Sequence, residues 1–228
     1  SGMSQPPISV RGDREPRVLR MARVAVYLDG FNLYHRRLEN SPYKWLNLET
    51  LGQCLCPGDD LKQVRYFTAR SVKLPYGDPN RPQRQQFYLR ALETLKPRVT
   101  VHFGRFKVRK KPRHLVRDVK IVEDVYIPEE KGSDVNLGTY LLLDAANDVY
   151  DTALVISNDS DLRQPIHVVR RRFNKTVGIV PPQTRKSKTW VVLHADFEIR
   201  ISDHMLHRSQ FPVNMTDQDG AFHKPPAW

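Results

Sequence analysis

The sequence predicts an α/β protein, in which helices pack around a mostly parallel central sheet as an α/β sandwich. Short apolar runs alternate along the chain with segments whose apolar residues recur at helical spacing. Several of these runs are apolar throughout, which is typical of strands that are buried on both faces. The length of 228 residues fits one good-sized domain.

The apolar runs predict strands over residues 23–29, 63–68, 98–103, 152–157 and 176–180. Shorter apolar pieces lie at 190–193 and 197–201. Helices are predicted over residues 46–55, 84–95, 134–148, 162–172 and 203–208. Asn47 is a candidate N-cap for the first of these helices. In the second, Tyr88, Leu92 and Leu95 fall on one helical face.

Residues 105–128 have a different character, because basic residues crowd into this one segment. Alternating side chains over residues 115–126 predict an irregular or edge hairpin. On either side of the domain, which is predicted over residues 21–211, two segments lack apolar periodicity. Residues 1–20 are predicted to be a flexible basic arm and residues 212–228 a flexible tail.

The formal net charge of +12 favours a nucleic acid or another anionic surface as partner. No apolar run approaches the roughly 20 residues that span a bilayer, so no membrane is expected. The two cysteines, Cys54 and Cys56, are too close for a disulfide and predict free thiols in a reducing compartment. The expected location is therefore cytoplasmic.

Four aspartates stand where an α/β fold could bring them together. Asp29 ends the first strand, Asp159 and Asp161 follow the strand over residues 152–157, and Asp134 begins a helix. Sites in open parallel sheets form just beyond the carboxyl ends of the strands. If the two strands are neighbours, the four carboxylates converge at one edge of the sheet.

Clustered carboxylates raise one another's pKa, and a hard divalent cation relieves that repulsion. Mg²⁺ and Mn²⁺ prefer carboxylate and water oxygens, and four acids allow either one ion or two. Each acid also has a structural alternative, since Asp-Gly is a common turn and Asp134 could simply cap a helix. Three further acids are expected to be solvated on a helix or loop: Asp144, Asp148 and Asp151.

The three polar motifs resemble the signature of the NYN domain, a branch of the PIN-like nuclease superfamily that includes the bacterial LabA-like proteins. The motifs are Asp29-Gly-Phe-Asn32, Glu129-Glu-Lys-Gly-Ser-Asp134-Val-Asn-Leu and Ser157-Asn-Asp-Ser-Asp161-Leu. The resemblance covers roughly residues 22–210. It implies a Rossmann-like α/β/α fold, described as PIN-like, and a Mg²⁺- or Mn²⁺-dependent nuclease that usually acts on RNA.

Carried over by motif, the resemblance makes Asp29, Asp134 and Asp159 metal-binding acids, with Asp161 as a fourth. Asn32 would position a water or a ligand carboxylate, and Lys131 could meet a substrate phosphate. The basic residues expected to hold the nucleic-acid backbone are Lys107, Arg109, Lys110, Lys111, Arg113, Arg170, Arg171, Arg185 and Lys186.

The function predicted is hydrolysis of phosphodiester bonds by a metal-dependent ribonuclease, with RNA as the expected partner. One alternative is a non-catalytic RNA-binding module with the same fold and basic surface. A phosphatase with an aspartyl nucleophile is disfavoured, because that chemistry usually has a second aspartate where Phe31 stands. A homodimer is left open.

Overall fold

The computed structural model describes residues 21–183 and 192–228, and its centre is a six-stranded sheet in which every pairing is parallel. Its strands lie in the order β3-β2-β1-β6-β7-β8. They are β1 Arg23–Asp29, β2 Asp60–Thr68, β3 Val99–Phe103, β6 Thr152–Ile156, β7 Thr176–Ile179 and β8 Phe197–Glu198. The α/β prediction with a mostly parallel sheet is confirmed.

Helices cover both faces of this sheet. They are α1 Gly30–Leu33, which continues as a π-helical turn over Tyr34–Leu38, α2 Leu48–Leu55, α3 Arg81–Glu93, α4 Ser133–Ala146, α5 Arg163–Arg172 and α6 Asp203–Arg208. One core cluster lies with α2, α3 and α6, and the other lies with α4 and α5. Asn47 caps α2 as predicted, accepting a 3.0 Å hydrogen bond from the Thr50 N–H.

The β1 strand shows why its run is apolar throughout. Val24, Val26 and Leu28 enter the first core cluster, whereas Ala25 and Tyr27 enter the second. Successive side chains of a strand point to opposite faces, so a central strand buries all of them. The continuous apolar pattern therefore predicted a strand with a helix layer on each side.

The basic segment forms a two-stranded antiparallel hairpin, here called the ribbon, which is longer than the predicted one and has a register shift near its tip, between His114 and Leu115. Strands β4 Arg105–Leu115 and β5 Asp118–Lys131 pair with one another and lie outside the main sheet. Arg105 pairs with Lys131, so the base of the ribbon joins the end of β3 to the start of α4. The ribbon thus connects one edge of the sheet to the helix that carries Asp134.

The prediction of a flexible tail over residues 212–228 is wrong for this fold. Strands β9 Asn214–Asp217 and β10 Gly220–His223 form a hairpin. Phe222 is buried, and the ring of Trp228 lies 6.2 Å from that of Trp45. Burial of these aromatic rings stabilises a segment whose sequence shows no periodicity. The predicted arm over residues 1–20 lies outside the described residues.

Asp144 is not the solvated helix acid that the sequence predicts. Its side chain is 4% exposed and binds Arg65 through two hydrogen bonds of 2.6 and 2.8 Å. Tyr27 Oη and Gln63 Nε2 donate to the same carboxylate at 2.6 and 2.7 Å. A buried charge is tolerated where it is paired and hydrogen-bonded, so α4 is tied to β1 and β2.

The other two acids expected to be solvated also take part in the fold. Asp148 and Asp151 both bind the guanidinium of Arg23 at the start of β1. Hydrogen bonds from Arg23 lower the pKa of Asp151 to about 2. Burial acts in the opposite direction but is the smaller effect. In the part of the chain that the structure describes, no helix is long and apolar enough to cross a membrane.

His102 gives the fold a pH-dependent stability. Its Nε2 lies 3.2 Å from Arg65 Nη1, and a guanidinium only donates, so this nitrogen accepts. Burial, with help from the Arg65 charge, lowers the pKa of His102 to about 4 from an ordinary 6.5. Between these values the unfolded chain binds a proton that the folded chain does not.

We therefore expect the free energy of unfolding to fall by about 1–3 kcal/mol as the pH decreases from 6.5 to 4. Urea unfolding followed across this range measures the fall. The variant His102→Gln keeps an acceptor for Arg65 and does not titrate, so its stability should fall less steeply. Equal slopes for the two proteins would show that another group titrates.

Candidate active site

The carboxyl ends of β1 and β6 lie side by side, because these strands pair in parallel register from Val24 and Thr152 to Leu28 and Ile156. The chain leaves β1 and β6 towards opposite edges of the sheet. Such a reversal of strand order opens a crevice, which is the usual ligand site in doubly wound sheets. Asp29 and Asp159 stand at this crevice.

Ser157 joins these two acids. Its Oγ donates to Asp29 Oδ2 at 3.0 Å and accepts from the Asp159 N–H at 3.1 Å. Asp159 in turn accepts from the Asp161 N–H at 3.0 Å and so begins the short 3₁₀ turn after β6. Ser157 is fully buried, and this bridging role was missed at the sequence level.

Asp29 sits in a crowded environment. It caps α1, with its Oδ1 accepting from the Asn32 N–H at 2.9 Å. Burial raises the pKa of its carboxyl, the hydrogen bonds from Asn32 and Ser157 oppose that rise, and the charges of Asp159 and Asp134 add to it. A cation beside Asp29 would therefore offset the cost of burying its negative charge and the repulsion from Asp159 and Asp134.

Asp134 reaches the same crevice from the first turn of α4. Gly132, which precedes this helix, has φ of 87°, a left-handed conformation that side-chain-bearing residues rarely adopt. This turn redirects the chain from β5 into α4 and leaves Asp134 exposed towards solvent. The alternative that Asp134 simply caps the helix is not met, because Gly132 is the N-cap and Asp134 lies inside the first turn.

Glu130 is a further acid of this site that the sequence analysis missed. Burial raises the pKa of its carboxyl, a hydrogen bond from Ser133 opposes the rise, and the charges of Asp29 and Asp134 add to it. The residue lies in the quoted Glu129-Glu-Lys-Gly motif, immediately before Lys131. Its inward orientation comes from the ribbon, where Glu130 pairs with Phe106.

Asp161 is less involved than predicted. Its side chain is exposed, and the backbone N–H is the group that bonds to Asp159. Among residues 21–183 and 192–228, no three His, Cys, Asp or Glu side chains are arranged to hold a metal ion. The acids are therefore electrostatic neighbours whose oxygens do not converge on a chelating point.

The donor set nevertheless fits Mg²⁺ or Mn²⁺. Mg²⁺ typically takes one or two carboxylates directly and keeps several waters, so a chelating triad is not required. Asn32 Oδ1 is buried and has no hydrogen-bond partner within the described chain. An orphaned acceptor costs about 1–3 kcal/mol, which a cation or an ordered water would offset. Asn32, Asp29 and Asp159 are the residues that would supply hard oxygen ligands to such a cation.

The ribbon divides its side chains between two faces. One face carries Phe106 and its cross-strand partner Glu130. The opposite face carries the basic residues that alternate with Phe106, which are Lys107, Arg109, Lys111 and Arg113. Lys111 binds Glu129 at 2.9 Å. On the other face Lys110 binds Asp124, also at 2.9 Å, and at the ribbon base Lys131 Nζ lies 3.9 Å from Glu129.

Arg170 and Arg171, which are predicted to hold the nucleic-acid backbone, lie away from the start of α5, the end of the helix that follows Asp161. They stand near the end of α5, about 10–12 Å along the helix from Arg163, on the side where β7 begins. Arg170 Nε binds Asp196 Oδ2 at 2.9 Å, and Asp196 also accepts from the Val177 N–H. Arg185 and Lys186 lie outside the described residues.

A cavity of about 80 Å³ opens beside the acids. Gly30, Phe31 and Glu130 border both the cavity and the carboxylate crevice. A Cβ on Gly30 would stand 2.5 Å from the Tyr66 ring, so only glycine permits this packing. The Asp29-Gly30-Phe31-Asn32 motif therefore forms part of two adjoining concave surfaces. The aromatic side chains that line the cavity are Phe31, Tyr34, Tyr66, Tyr88, Phe106 and Trp228.

A parallel sheet with acidic side chains at its switch point defines a doubly wound α/β domain with a candidate site at the carboxyl ends of its strands. A model of the NYN domain matches residues 23–197, so the chain belongs to the NYN domain family. This confirms the resemblance seen in the three motifs.

The chain is similar to a curated protein from Pseudomonas putida and to a solved structure from Vibrio parahaemolyticus. The 6-hydroxy-3-succinoylpyridine 3-monooxygenase HspA of Pseudomonas putida is 26% identical over 205 residues, a match that covers 77% of this chain. The chain spans 65% of the length of that curated relative. A crystal structure of a protein of unknown function from Vibrio parahaemolyticus has a TM-score of 0.51 and 18% identity. The match covers 82% of this chain and 98% of the chain in that structure, and it shows a likeness of fold alone.

Proposed function

We propose that this protein is a ribonuclease that depends on Mg²⁺ or Mn²⁺ and hydrolyses phosphodiester bonds. The observation that carries the proposal is the electrostatic proximity of Asp29 to Asp159, Asp134 and Glu130 at the switch point, beside Asn32 Oδ1, which has no hydrogen-bond partner within the described residues. The bound metal would supply a water of lowered pKa and stabilise charge on the phosphate. No covalent intermediate on the protein is needed.

The side chains have distinct roles in this proposal. Asp29, Asp159 and Asn32 hold the cation, and Ser157 fixes Asp29 and Asp159 relative to each other. Asp134 and Glu130 add negative charge near Asp29, and each could hold a water by hydrogen bonding when the metal is bound. Such positioning matters because the attacking water must be aligned with the scissile bond before reaction.

RNA is proposed as the substrate because the chain pairs this acidic crevice with a strongly basic surface. Lys107, Arg109 and Arg113 project from the outer ribbon face, and in the described chain none of them forms an ion pair. Contacts between cations and phosphates supply affinity rather than sequence preference. Binding should therefore weaken steeply as the salt concentration rises.

The proposal predicts cleavage of labelled single-stranded RNA in Mg²⁺ or Mn²⁺ and none in EDTA. Asp159→Asn should reduce the rate by about 10³-fold, because a metal contributes several kcal/mol to the transition state. Asp161→Asn should reduce it by less than about tenfold, since that carboxylate is exposed and only the backbone N–H bonds to Asp159.

Gel analysis of the products at matched protein concentrations measures both rates. Cleavage that continues in EDTA, or that is unaffected by Asp159→Asn, would overturn the metal-dependent mechanism. RNA binding without cleavage, tested across single-stranded and structured RNA and DNA, would favour the non-catalytic binding module instead.

A second candidate is an enzyme that acts on a small aromatic compound. The aromatic cavity beside the acids favours it, and one relative is named as a monooxygenase of a pyridine compound. If RNA is neither bound nor cleaved while a pyridine carboxylate binds the cavity, this candidate replaces the first.

A further inference from the structure

The cavity beside the acids combines three features that recognise one kind of ligand. Its walls are aromatic, its mouth is cationic, and it borders the carboxylate crevice through Glu130. Tyr88 and Trp228 pack against each other with ring centroids 5.7 Å apart, and the Tyr88 hydroxyl donates to the Leu46 carbonyl at 2.8 Å. The inner wall is therefore held rigidly before any ligand binds.

The outer wall is open to a ligand. Tyr34 and Phe106 are only partly buried, and they come from separate elements, the π-helical turn after α1 and the ribbon. A volume of about 80 Å³ holds a few waters or roughly one planar ring. The face of an aromatic side chain stacks on any nucleobase, which makes such a wall suited to a heteroaromatic ring.

The mouth carries positive charge. Arg81 and Arg84 lie one turn apart at the start of α3, and Lys44 lies on the same cavity. Burial raises the pKa of Tyr34, a negative charge on Glu39 adds to the rise, and both arginines oppose it, which places the guanidinium groups near the phenol. Arg84 is bound to Asp78. Arg81 and Lys44 enter no ion pair within residues 21–183 and 192–228.

We propose that this cavity binds one planar heteroaromatic ring that carries an anionic group, with the ring between Tyr34 and Phe106 and the anion on Arg81. In the ribonuclease this ligand is a single nucleotide of the RNA next to the scissile bond, so the assignment of the source rests on the proposed function. Glu130 and Gly30, which line the cavity, would then lie between the bound base and the cleavage site.

The test is a titration without divalent metal, in which the quenching of tryptophan fluorescence reports a ring beside Trp228. The probes are uridine and adenosine monophosphates, nicotinate, and ribose phosphate as a ligand without a ring. We expect a nucleotide to bind and ribose phosphate to bind at least about tenfold more weakly. The quenching should be lost in Trp228→Phe.

Two variants locate the binding. Phe106→Leu keeps apolar bulk in the ribbon but removes the ring, and Arg81→Gln removes the charge; each should weaken binding by about tenfold. Lys62→Gln removes a cation near the start of β2, at the opposite end of the strand from Thr68 of the cavity, and should not change the binding. Circular dichroism and thermal unfolding confirm that each variant is folded.

The outcomes separate this inference from the proposed function. Binding of a nucleotide or of nicotinate that depends on Phe106 and Arg81 supports the cavity assignment, whether or not RNA is cleaved. The probe that binds more tightly identifies the source of the ligand, a nucleotide or a pyridine carboxylate. Metal-dependent cleavage without any ring binding would overturn the assignment and leave the ribonuclease intact. Equal binding of ribose phosphate, or indifference to both variants, would also overturn it.

Discussion

Replacing Asp29 with asparagine is expected to reduce RNA cleavage by about 10³-fold or more without unfolding the protein. The amide keeps an acceptor for the Asn32 N–H and a polar neighbour for Ser157 Oγ. What it loses is the negative charge that a cation needs. Because burial already opposes that charge, the melting temperature should be unchanged or slightly higher.

The measurement pairs the cleavage rate with thermal unfolding in the presence and absence of Mn²⁺. The native protein should gain stability from Mn²⁺ by mass action, and Asp29→Asn should gain much less. Asp60→Asn is the matched control. Asp60 begins β2, so it lies at the opposite end of the parallel strands from Asp29, and it pairs with Lys62. A variant of Asp29 that cleaves at the native rate would remove this residue from the active site.

The second large effect concerns stability. Asp144→Asn is expected to destabilise the protein by about 3–5 kcal/mol, because it leaves the charge of Arg65 buried without its partner. For a chain of this size the melting temperature should fall by roughly 10 °C. Tyr27 and Gln63 also donate to this carboxylate, so their hydrogen bonds would be weakened in the variant.

Urea unfolding measures the loss, and Asp148→Asn is its control. Asp148 pairs with Arg23 and Lys175, but its side chain is 68% exposed, so solvent screens these pairs and the loss of stability there should be much smaller. The double variant Asp144→Asn with Arg65→Met should recover part of the stability, because it removes the unpaired charge and keeps an acceptor for Tyr27 and Gln63. Equal losses for Asp144→Asn and Asp148→Asn would contradict the assignment of Asp144 as a buried anchor.

Local patterns predicted most of the sheet and its helices. The β1 and β6 runs are apolar throughout because each strand has a helix layer on both faces, and that requirement acts on every residue of the run. The same logic placed Asp29 and Asp159 at strand ends. It failed for Asp144, whose partner Arg65 lies 79 residues away on another strand.

The ribbon shows a similar division. Its basic composition was visible in the sequence, yet the alternation that sends Phe106 and Glu130 to the cavity and Lys107 to the outer face depends on a long strand pairing. Arg170 was assigned to the substrate surface by composition alone. In the structure Arg170 lies near the end of α5, on the side where β7 begins, and binds Asp196.

The sequence by itself determined the α/β class, the strand ends that carry the acids, and the family signature in the three motifs. The tertiary structure decided that β1 and β6 are neighbours, that Glu130 joins Asp29 and Asp134, and that Trp228 closes an aromatic cavity beside them. The physical reason is the range of the interactions. Periodicity and capping act within a few residues, whereas strand order, buried ion pairs and the docking of a distant hairpin join residues that local patterns do not connect.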